Sequence, residues 1–375
     1  MTLDERRAWL ALALTPGIGP ARFDALLSHF GSPLGALEAP FEFLRTVRGI
    51  SPAAATAIGE AAAAGVDPIL ARLEALGARA LIPPDPDFPA VCREIPDRPT
   101  VLFVQGDGSL LTRPAVAIVG SRDHSPYGER ITREIAAACA ARGIVVVSGM
   151  ARGLDAVAHA AALSVGGPTI GVLGNGLGVI YPTANRELYR QVEARGLLLT
   201  EFPPGERPVA GSFPRRNRLI SALARVTVVV EAAEGSGALI TVTSALAQGK
   251  DVMAVPGPID SPVSAGTNRL IRDGAEPLLS IDDVLAHYPE AATLTPERAQ
   301  AVAVRAAQPA MPAGLTPAES LVFTALAEGE ANSELVLART GLSIAAGLAA
   351  LGGLELRGFI ARERDLVRLV SPVTD

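Results

Sequence analysis

The chain has 375 residues, of which 49% are hydrophobic and 19% charged, with a mean hydropathy of +0.32 and a formal net charge of −6. The length predicts two or three domains, and the composition excludes a largely disordered chain and a protein that is basic throughout. No apolar run approaches the roughly 18 residues of a membrane helix. Asp4 and Glu5 stand where a secretory signal is basic, and no cleavable apolar segment follows, which predicts a cytoplasmic protein without a membrane anchor.

Cysteine and lysine are scarce. Cys92 and Cys139 are far apart, with no CxxC motif and no histidine cluster, so neither a disulfide framework nor a cysteine-based zinc site is predicted. Lys250 is the only lysine among 33 basic residues. Arginine suits bidentate phosphate contacts, although the codon bias of a GC-rich genome produces the same excess.

Residues 1–75 predict a helical domain, because Ala-rich and Leu-rich segments are interrupted by Gly and Pro. Residues 15–20 and 48–52 each place a Gly-Ile turn before a helix with proline in its first turn, where proline is tolerated. This pair resembles a double helix-hairpin-helix or SAM-like module, in which glycine lets backbone N–H groups approach a phosphate. A helical bundle that only packs on its neighbour fits the same pattern, since Arg22 is the only nearby cation of the first turn.

From residue 80 to 288, short Val/Ile/Leu runs alternate with Gly-rich loops and helical stretches. Such near-continuous apolar runs are typical of parallel strands that helices cover on both faces. The segment therefore predicts an α/β domain with a doubly wound, mostly parallel sheet. The predicted strands are 116–119, 144–147, 169–173, 197–200, 226–231 and 251–255.

Residues 289–314 are rich in Ala and Pro without an apolar period and predict a linker. Residues 315–375 predict three helices and a β-hairpin, which together make a winged helix. The predicted elements are helices 317–326, 333–339 and 344–356 and strands 359–361 and 366–370, which flank a polar turn at 362–365.

The third helix of this winged helix bears no cation before Arg357. It lacks the Arg or Lys side chains that read a major groove. The pattern favours a protein-contact or structural role over DNA binding.

Ligands of an open parallel sheet bind outside the carboxyl ends of its strands. Four predicted strand-end loops are rich in glycine: 120–125, 148–153, 174–178 and 233–238. The first two each add an arginine beside a helix N-terminus, a combination that binds phosphate. Four such loops at one sheet edge indicate a long ligand that carries phosphates.

Residues 207–230 contain five arginines and no acidic residue, which predicts a local positive patch in an acidic chain. Phe213 and Asn217 lie within it and would suit a base stacked beside a backbone that arginines hold. A solvated basic surface loop is the alternative. The five arginines are Arg207, Arg215, Arg216, Arg218 and Arg225.

Several enzyme signatures are absent from the sequence. The first strand is not followed by G-x-G-x-x-G, Lys250 is not in a P-loop, and there is no G-x-S-x-G elbow. The histidines form no metal or triad arrangement. Glu231 and Glu234 could act as an acid or base, but near a helix N-terminus they could equally cap it.

In order along the chain, these motifs resemble the DNA-processing protein A family of bacteria (DprA, also called Smf). The resemblance is strongest over residues 80–285, and the helical front and winged-helix end fit the family's three-part layout. Thr183 departs from the family, whose members often carry a basic residue there. The matching stretches are 116–122, 148–155, 181–182 with 185, 213–221, 231–241, 254–257, and 266–271 with 274–275.

The resemblance implies an extended Rossmann-like domain that binds single-stranded DNA, protects incoming strands and loads the RecA recombinase during natural transformation. It further implies a homodimer, no catalytic residue and no cofactor, with single-strand-binding protein as a further partner. The predicted DNA-binding residues are Gly120, Ser121, Arg122, Ser148, Gly149, Arg152, Phe213, Arg215, Arg216, Asn217, Arg218, Ser236 and Gly237.

A rival hypothesis comes from the nucleoside-monophosphate phosphoribohydrolases, which also place Gly-rich phosphate loops and acidic residues at strand ends. This chain lacks their P-G-G-x-G-T-x-x-E run, which residues 234–238 only partly match. Slow hydrolysis of a nucleotide would then depend on Glu231 or Glu234. Similarity of fold alone supports this alternative weakly.

Overall fold

The computed structural model describes residues 1–291, 311–312, 314–327, 331–363 and 366–369. Its contacts divide the chain into two compact units, Met1–Thr295 and Pro296–Asp375. Most of the predicted linker, residues 292–310 and 313, lies outside the described residues. Among the described residues, no helix is long and apolar enough to cross a membrane.

The first unit begins with six helices. Pro20 and Pro52 open the two helices that follow the Gly-Ile turns, as predicted. Gly17 and Gly49 in these turns have φ values of +81° and +88°, which only glycine adopts without strain. The helices are α1 (Leu3–Ala13), α2 (Pro20–Phe30), α3 (Pro33–Leu37), α4 (Phe41–Leu44), α5 (Pro52–Ala64) and α6 (Asp67–Ala75).

These helices share a hydrophobic core with the adjoining sheet, to which Phe103 and Leu198 contribute. The indole N–H of Trp9 donates to the Thr100 carbonyl oxygen at 2.8 Å. The helical region therefore packs firmly on the α/β region, as its bundle interpretation requires.

A nine-stranded sheet forms the centre of the first unit. The seven strands from β6 to β9 in its order pair in parallel, as predicted, and β2 and β1 extend one edge with antiparallel pairings that the sequence analysis missed. The order is β1-β2-β6-β5-β4-β3-β7-β8-β9. The strands are β1 (Ala78–Leu81), β2 (Leu102–Gly106), β3 (Ala115–Val119), β4 (Val145–Ser148), β5 (Thr169–Val172), β6 (Leu197–Thr200), β7 (Val226–Val229), β8 (Asp251–Ala254) and β9 (Glu276–Pro277).

Helices cover both faces of this sheet, so its central strands are buried on both sides. Ala117 and Val119 of β3 belong to one hydrophobic core, and Val116 and Ile118 belong to another. The helices of this region are α7 (Ala90–Glu94), α8 (Pro126–Ala141), α9 (Leu154–Ser164), α10 (Arg186–Arg195), α11 (Ser212–Leu223), α12 (Gly237–Ala247), α13 (Ala265–Arg272) and α14 (Ile281–Leu285).

The second unit has the predicted winged-helix elements around a core that includes Val322 and Leu351. Arg362 and Glu363, predicted in a turn, belong to a strand instead, and residues 364–365 lie outside the described residues. The elements are α15 (Pro317–Ala327), β10 (Ala331–Asn332), α16 (Ser333–Thr340), α17 (Ile344–Leu356), β11 (Ile360–Glu363) and β12 (Leu366–Leu369), and the strand order is β10-β12-β11.

The order of the large sheet reverses at β3, which pairs with β4 on one side and β7 on the other. At such a switch point the loops leaving the two strands diverge and open a crevice at their carboxyl ends. This topology locates the candidate site.

Candidate nucleic-acid interface

A cleft of about 800 Å³ lies at the carboxyl ends of β3 and β7. Loop 120–123, loop 233–237 and the N-terminal half of α11 form its walls. A smaller pocket, lined by residues 149–152, 173–175 and 181–182, adjoins it. The two pockets share Arg122, Ala151, Tyr181, Phe213 and Arg216. The predicted strand-end loops 120–125, 148–153 and 233–238 each contribute several residues to the two pockets. The remaining loop, 174–178, contributes only Gly174 and Asn175 to their lining.

The first loop fixes its own shape and leaves one cation free. A Cβ at Gly120 would lie 2.5 Å from Leu154 Cδ1 and 3.1 Å from the Glu231 carbonyl oxygen, so a larger residue would displace the buried Leu154 side chain. The Ser121 hydroxyl donates to the Asp123 carbonyl and accepts from the Asp123 N–H. Arg122 is exposed and has no acidic partner among the residues that the structure describes. Arg122 is therefore the group of this loop that can meet a ligand.

Glu231, weighed above as an acid or base, holds the start of α8. It is 2% exposed, and its carboxylate accepts the Ser125 N–H at 2.9 Å and the Ser125 hydroxyl. A Cβ at Gly128 would lie 2.3 Å from Glu231 Oε2. This carboxylate is committed to the N-cap of a helix, whereas Glu234 is exposed at the wall of the cleft.

The second loop brings Gly149 and Arg152 to the smaller pocket. Arg152 is exposed, and no ion pair with it is found within the described part of the chain. Ser148 does not reach the pocket, because it is buried and its hydroxyl donates to the Ile118 carbonyl. The Asn185 amide donates to the carbonyls of Met150 and Ala151 and so ties the segment after cis-Pro182 to this loop.

The arginine-rich segment differs from the positive patch or solvated surface loop that its sequence predicts, because its central part is a helix with buried arginines. Residues 212–223 form helix α11, with Pro214 in the first turn, where its missing N–H is not needed. Arg216 is only 4% exposed and donates to the carbonyl oxygens of Gly149 and Val172. Asn217 lies at the cleft and donates to the Gly237 carbonyl.

The predicted absence of a counter-charge is also wrong. Arg218 has a side chain only 10% exposed, and it pairs with Glu201 at 2.5 Å and with Asp97 at 3.2 Å. Arg215 pairs with the same Glu201 at 3.0 Å. Both arginines line a separate cavity of about 480 Å³ beside the 15–20 turn, not the strand-end cleft.

Arg225 is likewise paired, in its case with Glu290. Arg207 is exposed and has no acidic partner in the described ranges. Distant acidic residues therefore neutralise three of the five arginines that appear unpaired in the sequence.

An aromatic pair stands between the two pockets. The rings of Tyr181 and Phe213 have centroids 5.6 Å apart and are inclined by 36°. Tyr181 is 46% exposed, and a Cβ at Gly174 would lie 2.8 Å from the Phe213 ring. The sequence predicts Phe213 as a ligand contact, whereas Tyr181 is evident there only within the matching stretch 181–182.

The opposite wall is the N-terminus of α12. Ser236 is its N-cap, and the Ser236 hydroxyl accepts the Ala238 N–H at 3.4 Å. The first N–H groups of a helix carry partial positive charge and bind anions. Ser236, Gly237 and Arg122 therefore line one cleft, which suits a phosphate.

Two of the charged side chains at the cleft, Asp155 and Arg216, are buried. Burial raises the pKa of Asp155, against the effect of nearby Arg216, which lowers it. Burial likewise lowers the pKa of Arg216 to about 10, so this side chain stays charged at neutral pH. The cleft and the adjoining pocket thus combine exposed cations, a helix N-terminus and aromatic faces, a combination that binds the phosphates and bases of an unpaired strand.

Three family models match the chain. DNA recombination-mediator protein A matches residues 79–289, the DprA winged helix domain matches residues 306–365, and the DprA-like N-terminal HHH domain matches residues 3–63. The first match alone spans more than half of the chain and contains every residue of the cleft.

Relatives and solved structures agree with these models. The Smf protein of Synechocystis is 34% identical over 97% of this chain and 98% of its own length, and that of Escherichia coli is 46% identical over 55% of each. The DprA structure from Streptococcus pneumoniae is 35% identical and covers 76% of this chain and 98% of its own, with a TM-score of 0.64. DprA from Helicobacter pylori, described for its single-stranded DNA binding mode, is 32% identical and covers 56% and 94%, with a TM-score of 0.51. The chain belongs to the DNA-processing protein A (DprA/Smf) family.

Proposed function

We propose that this protein binds single-stranded DNA in the strand-end cleft and acts without catalysing a reaction. The observation that carries the proposal is the placement of two unpaired exposed arginines, Arg122 and Arg152, beside the Tyr181–Phe213 pair. Arginines neutralise phosphates whatever the base sequence, and aromatic rings stack on bases only where the bases are unpaired. Single strands should therefore bind more tightly than duplexes.

The proposal is tested by titrating salt against the binding of fluorescent single-stranded and double-stranded oligonucleotides of equal length. We expect a preference for the single strand and an affinity that falls as salt rises, with a slope of about −0.7 per neutralised phosphate. Equal affinity for both forms, or an affinity that salt does not change, would contradict the cleft assignment.

Within the cell, the proposed role is to protect incoming strands and to load RecA during natural transformation. Membership of the family supports this role. A homodimer would hold two clefts close together and raise their effective concentration on a long strand. We expect the protein to promote RecA filaments on strands coated with single-strand-binding protein, and an absence of any such effect would remove the loading role.

The proposed dimer needs an exposed apolar surface. Two apolar segments near the end of the α/β region, 270–271 and 277–279, are candidates for this surface. Leu270 packs partly against the core and Leu278 is buried, whereas Leu279 is 77% exposed. Light scattering over a concentration series tests the dimer, and Leu279→Glu should shift it toward the monomer. A monomer at every concentration would contradict this part of the proposal alone.

A further inference from the structure

Two opposite charges are buried behind the second strand-end loop. Arg216 is 4% exposed and Asp155 is 8% exposed. A Cβ at Gly149 would lie 2.6 Å from both Arg216 Nη2 and Asp155 Oδ2. Gly149 thus lies between a guanidinium and a carboxylate, and a larger residue there would displace at least one of them.

The two side chains hold opposite polar groups of the same loop. Arg216 Nη1 donates to the Gly149 carbonyl and also to the Val172 carbonyl at the end of β5. Asp155 Oδ2 accepts the N–H groups of Gly149 at 3.1 Å and Ala151 at 3.4 Å. The carbonyl oxygen and the N–H of one residue are therefore fixed by charged partners, which form stronger hydrogen bonds than neutral ones.

The loop between these contacts has an unusual backbone. Met150 is buried and has a φ of +57°, in the left-handed region that a side chain disfavours. Such a conformation persists only where the surroundings impose it. Arg152 follows two residues later and points its exposed cation at the smaller pocket.

We propose that Asp155 and Arg216 are positioning residues that fix loop 149–152, so that Arg152 meets the DNA strand, and that Arg216 does not itself bind a phosphate. Its Nη1 is committed to two carbonyl oxygens, and its Nε donates to Asn217 Oδ1 at 3.2 Å. Its remaining nitrogen, Nη2, lies beside Gly149, in a side chain that lines both pockets but is almost fully buried. This inference rests on the proposed function, since it explains how the smaller pocket presents Arg152, a cation without an acidic partner among the described residues.

Asp155→Asn separates this proposal from direct phosphate binding by Arg216, because the two predict opposite signs. If Arg216 contacted the strand, loss of a nearby negative charge would leave binding equal or tighter. If the pair positions the loop, we expect single-strand affinity to fall about tenfold, the effect of losing one charge-assisted contact. Glu234→Gln removes the same charge from the exposed wall of the cleft and is the matched control, with equal or tighter binding expected.

A double-mutant cycle with Arg152→Ala shows whether Asp155 affects single-strand affinity through Arg152. Positioning predicts that Asp155→Asn has little further effect on affinity once Arg152 is absent, whereas separate contacts predict additive losses. Hydrogen exchange at the Gly149 and Ala151 amides should be faster in Asp155→Asn. Additive losses, or tighter binding by Asp155→Asn, would overturn the inference.

If Asp155→Asn does not fold, the double variant Asp155→Asn, Arg216→Met replaces it, because it removes both buried charges together. The cycle with Arg152→Ala is then measured on this double variant. A different result would contradict the proposed function itself, namely that the unmodified protein does not bind single strands.

Discussion

Arg122 and Arg218 carry the same charge, yet their surroundings give them different expected roles. Arg122 is exposed at the cleft, so Arg122→Ala should weaken single-strand binding and flatten the salt slope by about 0.7. Arg218 is buried against Glu201, so Arg218→Ala should lower the free energy of unfolding by about 3 kcal/mol, the cost of leaving a buried charge partly unpaired. Oligonucleotide titrations and urea unfolding of both variants measure the two effects.

Arg190→Ala is the control for this pair, because Arg190 is exposed on α10, away from the cleft, and its nearest acidic oxygen is 3.9 Å away. It should change neither quantity. The assignment is wrong if Arg218→Ala keeps the stability of the unmodified protein while reducing the salt slope.

The sequence shows which arginines are present but not which are neutralised. Glu201 precedes Arg215 and Arg218 by 14 and 17 residues, and Glu290 lies 65 residues after Arg225. Only the fold brings these partners together. Arg122 could be predicted, because Gly120 and Ser121 directly follow an apolar strand and leave its side chain at a strand end.

At the scale of the element, the parallel strands could be predicted because burial on both faces requires continuous apolar runs. The edge strand β1 could not, since it reads Ala-Arg-Ala-Leu and looks like the end of a helix. Its neighbour β2 contains the buried apolar run Leu-Phe-Val, a signal of the same kind as the parallel strands, and could have been predicted. Helix α11 was mistaken for a loop because Pro214 and three arginines interrupt its apolar period. Two of the side chains that it buries, Arg216 and Arg218, are charged, and their burial depends on partners from other elements.

The buried residue His159 on helix α9 should make the stability of the protein depend on pH. Its Nδ1 lies 2.7 Å from the Thr169 hydroxyl, which donates to the Val146 carbonyl and so accepts the Nδ1 proton. Burial, and secondarily Arg216, lower the pKa of His159 to about 3. Below the unfolded pKa of about 6.5 the unfolded chain binds a proton that the folded protein does not, so stability falls with acid, by about 2 kcal/mol at pH 5.

Urea unfolding of the unmodified protein and of His159→Gln at pH 7, 6 and 5 tests this expectation. The variant should be less stable at pH 7, because it loses a well-packed buried ring, but its stability should fall less between pH 7 and pH 5. Parallel pH curves for the two proteins would show that His159 does not contribute to the dependence.

At the scale of the whole molecule, every residue that lines the cleft lies within Met1–Thr295, which has its own hydrophobic cores. The second unit differs in the surface of α17. Ile344 and Leu348 are exposed there, and the helix contains no Arg or Lys. An apolar, uncharged helix face lacks the phosphate-neutralising groups that supply non-specific affinity for DNA.

A chain that ends at Ala291 should therefore bind single strands with the affinity of the full chain, to within about twofold, and with the same salt slope, because no phosphate contact is removed. Fluorescence anisotropy of both chains over a salt series measures this, and urea unfolding verifies that the shorter chain is folded. Placing Arg122→Ala in both chains is the internal control, since the loss of affinity should then be equal.

A slope that becomes shallower by about 0.7 or more in the shorter chain would show that the second unit contributes phosphate contacts of its own. The strand would then extend beyond the strand-end cleft, and the C-terminal arginines would be the next residues to replace.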